Sequence, residues 1–388
     1  MELKNGYQNT EIGLIPNDWK ISSLGNLGQF SKGSGIKKDE SQSGDIPCIR
    51  YGELYTKHNN IIRNCHSFIS EEVSKCSKKI KYGDILFAGS GETKEDIGKC
   101  ASFIHKYEAF AGGDIIVFTP RNCSSVYLGY LLNSKEISNQ KASKGQGDAV
   151  VHISANELGK IIIPVPSLNE QEVIGEVLLD IEKFIYSIQA LIDKKSQIKQ
   201  GVIQDLLSPK EGWIKKKLGD FLTYEQPSNY IVKSTEYNDN NSIPVLTAGK
   251  TFILGYTDEE FGVFEDCPVI IFDDFTTSTK YVDFRFKVKS SAMKILLPKN
   301  DDVDLRFIYE MIQTIAYPMG VGDHKRHWIG SYQHLEISVP PLNEQNRISK
   351  ILYDLDNEIT LLDKKRNKLI QIKDGMMRNL LTGKIRLV

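Results

Sequence analysis

The residues best suited to chemistry in this 388-residue chain sit in two short loops. Gly145-x-Gly147-Asp148-x3-His152 and Gly320-x-Gly322-Asp323-x3-His327 repeat one pattern at an offset of 175. Lys141 and Lys144 precede the first, and Lys325 and Arg326 lead into His327 in the second. Glycine lets a backbone approach a ligand closely. Lys, Arg and His beside it reach phosphate oxygens or the edges of bases. A plain turn with solvated cations is the bland alternative; the same pattern at the same point twice favours a binding role. Lys94, in Gly89-Ser-Gly91-Glu-Thr-Lys94, is a third cation on a loop. Residues 284–289 alternate strictly. As a strand they would bury Phe284, Phe286 and Val288 and turn Arg285, Lys287 and Lys289 to the other face. That face would serve phosphates, or act as the charged guard of an edge strand.

Catalytic patterns are missing. Gly98-Lys99 lacks the upstream glycine of a phosphate-cradling loop and is followed by Cys100. No GxGxxG follows a strand, and no amine-methylation motif appears. His324 and His327 lie among glycines with no acidic or cysteine partner at metal spacing. Asp273-Asp274 closes an apolar strand and reads as a strand-end turn rather than a nuclease metal pair. The chain is therefore expected to hold no catalytic residue and no metal. It has no apolar run of 18 or more residues, which predicts a cytoplasmic protein without a membrane span. Its six cysteines show no CxxC spacing and read as reduced, buried thiols. The net charge is −1, so this is no free-standing basic DNA binder. Segment 28–160 has 18 Lys/Arg against 15 Asp/Glu, whereas 222–335 has 11 against 16, which counts against nucleic acid unless the cations cluster.

The elements that must position these loops come from a duplication. Residues 166–210 and 340–384 align without a gap at an offset of 174, sharing PxLNEQ starts and leucine pairs near their ends. Apolar residues recur at Ile174, Leu178, Ile181, Ile185, Ile188 and Ile192, and at Ile348, Leu352, Leu355, Ile359 and Leu362, continuing through 369, 372, 376 and 380. That is the spacing of a coiled-coil seam. Glu182, Lys183, Lys194, Lys195, Asp356, Glu358, Lys364 and Lys365 are expected off it. A helix from Glu170 to Leu207 would be about 57 Å long. Neither helix covers its own seam, so the two are expected to pack antiparallel. Trp19…Leu24-Gly25 and Trp213…Leu218-Gly219 repeat ahead of each insert, which alternates short strands with turns and carries one helix near 124–140 or 302–315. The prediction is an α+β protein: two mixed α/β heads, 1–165 and 211–338, each followed by a long helix, 166–210 and 339–388, as a pseudo-two-fold internal repeat.

The paired PxLNEQ helices with QxLL and NLLTGK ends, and the Trp…Leu-Gly lead into each variable insert, resemble the specificity subunit of type I restriction-modification enzymes. The resemblance implies that each insert is a target-recognition domain reading one half of a split, asymmetric sequence in double-stranded DNA. It implies that the helices act as a ruler and dock two methyltransferase subunits, and that restriction subunits join that core. S-adenosylmethionine, ATP and Mg would then be held by partners, with no cofactor in this chain, in a bacterial or archaeal cytoplasm. LLSPK at 206–210 departs from the second copy's LLTGK, so the two helix ends are not equivalent. The rival reading is a restriction or modification enzyme with its own catalytic centre.

Overall fold

Each head begins and ends on the same pair of strands. Lys20–Ser23 runs antiparallel to Ile162–Val165, and Ile214–Lys217 runs antiparallel to Glu336–Val339. The chain thus leaves its Trp…Leu-Gly segment, builds a head, and returns alongside its own first strand just before a long helix. Leu24 and Leu218 are fully buried at these roots. The glycine after each allows a close backbone approach: a Cβ at Gly219 would lie 2.9 Å from the Gln333 carbonyl oxygen, and one at Gly25 3.1 Å from that of Gly159.

The computed structural model describes residues 6–248, 251–315 and 327–388. They form two compact units, Met1–Ala190 with Asp363–Val388, and Leu191–Leu362. In the first, the main sheet runs Gly28–Lys32, Ile115–Pro120, Ile85–Ala88, Cys100–Phe103 and Ile61–Ile62. In the second it runs Leu222–Glu225, Met293–Pro298, Val269–Asp273 and Thr279–Val282. Each unit adds a smaller sheet with one parallel pairing, Ala109–Ala111 on Ile46–Ile49 and Lys287–Val288 on Ile243–Leu246. The two inserts therefore share a topology that their sequences do not display. The helix expected near 124–140 is broken into Ser125–Leu131 and Lys135–Lys144, while its counterpart is the single helix Leu305–Thr314.

The central helix spans Leu168–Leu206 and the C-terminal helix Leu342–Leu380, each of 39 residues. They pack antiparallel. In the first unit Glu182 faces Lys373 and Gln189 faces Arg366; in the second Lys195 faces Glu358 and Lys199 faces Asp356. The seam has a second duty. Ile174 and Leu178 belong to the core of the first head together with Leu380 and Leu381. Ile348 and Leu352 belong to the core of the second together with Leu207. The paired leucines at each helix end are thus head core, contributed by the opposite helix. Farther along, Ile188 is buried, while Ile181, Ile185, Leu355, Ile359 and Leu362 are only half-buried.

Two seam expectations need correction. Ile372 is 43% exposed, and Lys373 takes the inward position beside Glu182. Nor do the charges all lie off the seam, since Glu182 is buried and Asp356 half-buried against their heads. The cysteines also differ from expectation: all are free, but only Cys48 and Cys100 are buried. Burial pushes their thiols up, to about 12 and about 11.

Full burial at the head ends makes a graded prediction. Leu178→Ala and Leu352→Ala should each cost about 2–5 kcal/mol through lost packing and cavity formation. Ile185→Ala and Ile359→Ala should cost distinctly less, because their sites already open to solvent. Thermal unfolding of the full chain checks this; equal losses at 352 and 359 would show that the head core does not extend into the helix.

Candidate nucleic-acid interface

The expected cations separate into two groups. Lys94, His152 and Arg285 are exposed, and Lys144 and Lys289 half-buried. Lys289 lies 6.0 Å from the centre of the Tyr237 ring. Lys141 and Lys287 are withdrawn from the surface, each 2% exposed. Lys141 donates to the Gly98 carbonyl at 2.8 Å, and its burial lowers the ammonium pKa. The Lys287 ammonium donates to the Gly262 carbonyl at 3.3 Å and pairs with Glu259 at 3.3 Å. The strict alternation expected at 284–289 fails for this reason. Only Lys287 and Val288 form a strand, both inward, while Phe284 is 37% exposed. A lysine enters an apolar layer when backbone carbonyls and a carboxylate meet its charge there.

Lys325 and Arg326 lie outside the described residues, as does most of the second glycine loop. His327, which ends it, is 4% exposed, and the following Trp328 N–H donates to the Asp274 carboxylate at 2.9 Å. The Asp273 carboxylate accepts from the Phe275 N–H at 2.9 Å. Both carboxylates thus shape a strand end. In the first head the place of Asp274 is taken by Gly89, whose carbonyl accepts from the Ile153 N–H at 3.0 Å as that of Asp274 does from the His327 N–H at 3.5 Å, and the hydroxyl of the next residue, Ser90, lies 2.9 Å from Nδ1 of His152. The ends of the two glycine loops therefore rest on the same part of their heads.

The duplicated sequence also hides polar contacts made twice. Gln171 accepts from the Ser124 N–H at 3.0 Å and donates to the Pro166 carbonyl at 3.0 Å. Gln345 accepts from the Asp304 N–H at 2.9 Å and donates to the Pro340 carbonyl at 3.0 Å. Ser124 and Asp304 are the N-caps of the head helices, their side chains accepting from Tyr127 and Phe307 N–H groups. The last residue of each LNEQ run thus grips the start of its own head's helix. About three turns farther along each helix lies a second repeated contact. Glu182 accepts from the Tyr130 hydroxyl and pairs with Arg63 at 3.5 Å and Lys373 at 3.8 Å. Asp356, 174 residues on, pairs with Arg306 and Lys199, both at 2.6 Å. Lys199 and Lys373 are themselves 174 residues apart.

Among the described residues, one contact at a helix end has no counterpart in the other copy. Arg386 forks onto Asp18 at 2.9 and 2.8 Å and onto the buried Glu170, which also accepts from the Trp19 indole at 3.0 Å. The arginine holds the Asp18 carboxyl below its ordinary range. The position equivalent to Arg386 is Gly212, and Glu344 is left partly exposed with Arg347 at 3.7 Å. This gives the LLTGK/LLSPK departure a structural content.

The geometry meets its counterparts in known proteins. The family model described as "Type I restriction modification DNA specificity domain" matches residues 16–200 and again 210–371. This chain belongs to that family. Among members, a specificity subunit of the type I enzyme EcoR124I/EcoR124II from Escherichia coli is 42% identical over 179 residues, 41% of this chain and 44% of that protein. The chain thus aligns with less than half of that relative's length. A putative specificity subunit, MjaX, from Methanocaldococcus jannaschii is 24% identical over 99% of this chain and 97% of its own. The fold is that of the type I S subunit from M. genitalium, with a TM-score of 0.70 over 98% of both chains at 15% identity.

In this specificity-family chain the LNEQ glutamines are visible in the sequence as a repeat but not as a grip; their partners lie in inserts of unlike sequence. Replacing Gln345 by Ala orphans the Asp304 N–H and should cost about 1–3 kcal/mol. Gln171→Ala should cost about the same in the first head. Hydrogen exchange is the check: protection should fall in Leu305–Thr314 for one variant and in Ser125–Leu131 for the other, and uniform loss across both helices would refute the local grip.

Proposed function

We propose that this chain is the non-catalytic, sequence-reading subunit of a type I restriction-modification complex. Each head reads one half of a split, asymmetric site in double-stranded DNA. The helix pair sets the spacing between halves and docks two methyltransferase subunits, with restriction subunits joining that assembly. The functional division follows the sequence: recognition domains 1–165 and 211–338, helices 166–210 and 339–388. S-adenosylmethionine, ATP and Mg act on the partners.

The observation that carries this reading is one head-on-helix plan built twice, with the same Gln grip and the same lysine–carboxylate contact beneath loops that differ. Identical mounts with different loops suit a protein that reads two different sequences. The family supports DNA as the object read. A nuclease built on Asp273 and Asp274 is disfavoured because both carboxylates are engaged by backbone N–H groups of their own head.

Lys94, Lys144, His152, Arg285 and Lys289 remain DNA-contact candidates, together with Lys325 and Arg326. Lys141, Lys287 and His327, all buried, are assigned to the folding of their heads instead. The methylated motif in DNA from cells carrying the chain with its methyltransferase should be bipartite, asymmetric and interrupted by unread base pairs. A continuous or palindromic motif would overturn the proposal. At residue level, Arg285→Ala should weaken binding by the assembled enzyme on all sequences alike and reduce the slope of log K against log salt by about 1. Lys287→Ala should instead lower the melting temperature, because a buried side chain is lost and the Phe261 and Gly262 carbonyls lose their donor. A salt slope that falls for Lys287→Ala and stays fixed for Arg285→Ala would reverse this assignment.

A further inference from the structure

The first head carries a two-stranded ribbon that its sequence does not announce. Ser90–Gly91 pairs antiparallel with Val151–His152, Ser90 opposite His152. Beyond the pairing, Gln146 and His152 exchange both backbone hydrogen bonds, at 2.9 and 2.8 Å, and close the tip. The turn is specified by Gly147, whose φ is +109° and where a Cβ would lie 2.2 Å from the Val150 carbonyl oxygen. Residues 146–150 are exposed throughout, and Val151 is buried beneath them. Recesses of about 500 and 530 Å³ open on either side of the ribbon, and Ser90 lines both. A ribbon of two strands is of a size the DNA major groove admits.

One side chain on this ribbon is both exposed and aimed. The His152 ring is held through Nδ1 by the Ser90 hydroxyl at 2.9 Å. Ser90 is 8% exposed, and its carbonyl accepts the Tyr55 hydroxyl at 2.9 Å. Burial pushes the Tyr55 phenol up to about 12, so it stays protonated and donating at neutral pH. A serine hydroxyl can donate to Nδ1 or accept from it; when it donates, the neutral imidazole carries its proton on Nε2. In that arrangement the exposed ring offers one directed donor.

Building on the DNA-reading role proposed above, we propose that in the first head this ribbon enters the major groove and His152 donates from Nε2 to the N7 of a single purine. Ser90 is the positioning residue that sets the tautomer and the direction of that donor. Purine N7 is a major-groove acceptor of both adenine and guanine, so the contact demands a purine and excludes a pyrimidine at one position.

The test uses the complete chain assembled with its methyltransferase subunits and a duplex carrying the methylated motif. Each purine of the first half-site is replaced in turn by its 7-deaza analogue, which lacks the acceptor. For the wild type, one substitution should lower the methylation rate about tenfold, the worth of one hydrogen bond. His152→Ala and Ser90→Ala should lose that sensitivity and accept pyrimidines at the same position, with preference in the second half-site unchanged. Ser90→Thr, which keeps the hydroxyl, should restore wild-type behaviour. A merely structural role for Ser90 would slow all duplexes equally and leave the 7-deaza effect intact, which overturns the proposal. So does a wild type indifferent to every 7-deaza substitution while still discriminating bases. A wild type with no base preference in the first half-site would instead sink the DNA-reading role itself.

Discussion

A helix with one apolar stripe must cover that stripe along its whole length, and this protein depends on how the covering is divided. At the start of each long helix the stripe is core for the head that precedes it, through Ile174 and Leu178 or Ile348 and Leu352. The opposite helix delivers its terminal leucines to the same core. Farther along, the stripe meets mainly the other helix and is less completely buried. A head is therefore no separate bead on a rod. Its hydrophobic core is continuous with both helices, and removing either helix opens it.

Polar contacts then fix register within that packing. Apolar stripes tolerate sliding, whereas a buried carboxylate does not tolerate losing its cation. Glu182 with Lys373 and Asp356 with Lys199 each couple the two helices, while Tyr130, Arg63 and Arg306 tie the same carboxylates to a head. One acidic side chain per unit thus locks three elements together. The Arg386 fork adds a contact on one side only, joining the segment around Asp18 and Trp19 to the end of the C-terminal helix. Duplication supplied the frame, and later differences such as Gly212 against Arg386 made its two ends distinct.

How much of this was legible depends on where each signal is stored. Helix extent, antiparallel pairing and the α+β class follow from periodicity and repetition, which are local in sequence. The withdrawal of Lys287 was not legible, because alternation assumes a strand with one wet face, and here both faces are covered. Lys141 reads as a loop cation until the carbonyl of Gly98, 43 residues away in sequence, is seen to receive it. Glu182 was placed off the seam since a heptad count has no knowledge of a head pressing on the flank. The grip of Gln171 and Gln345 lay in plain view as a repeat, but its meaning needed Ser124 and Asp304, which share no residue type. The glycine pattern points to His152, while Ser90, whose hydroxyl lies 2.9 Å from its Nδ1, belongs to no pattern at all.

The distribution of repeated and unrepeated residues follows from this mechanics. A residue that touches both helices and a head is constrained by three surfaces, so drift at Gln171, Leu178 or Lys199 is costly in each copy. An exposed tip residue such as Asp148 or Ala149 carries little weight in folding, whereas Gly147 is required by the turn it makes. Surface substitutions of that kind usually change stability by no more than about 0.5 kcal/mol. Apart from the repeated glycine pattern, the two heads differ in their loops while sharing strand order, root strands and helix caps. A frame that concentrates its stability in the helix–head junction leaves exposed loop residues free to diverge, and that freedom is what allows two copies of one fold to acquire different surfaces.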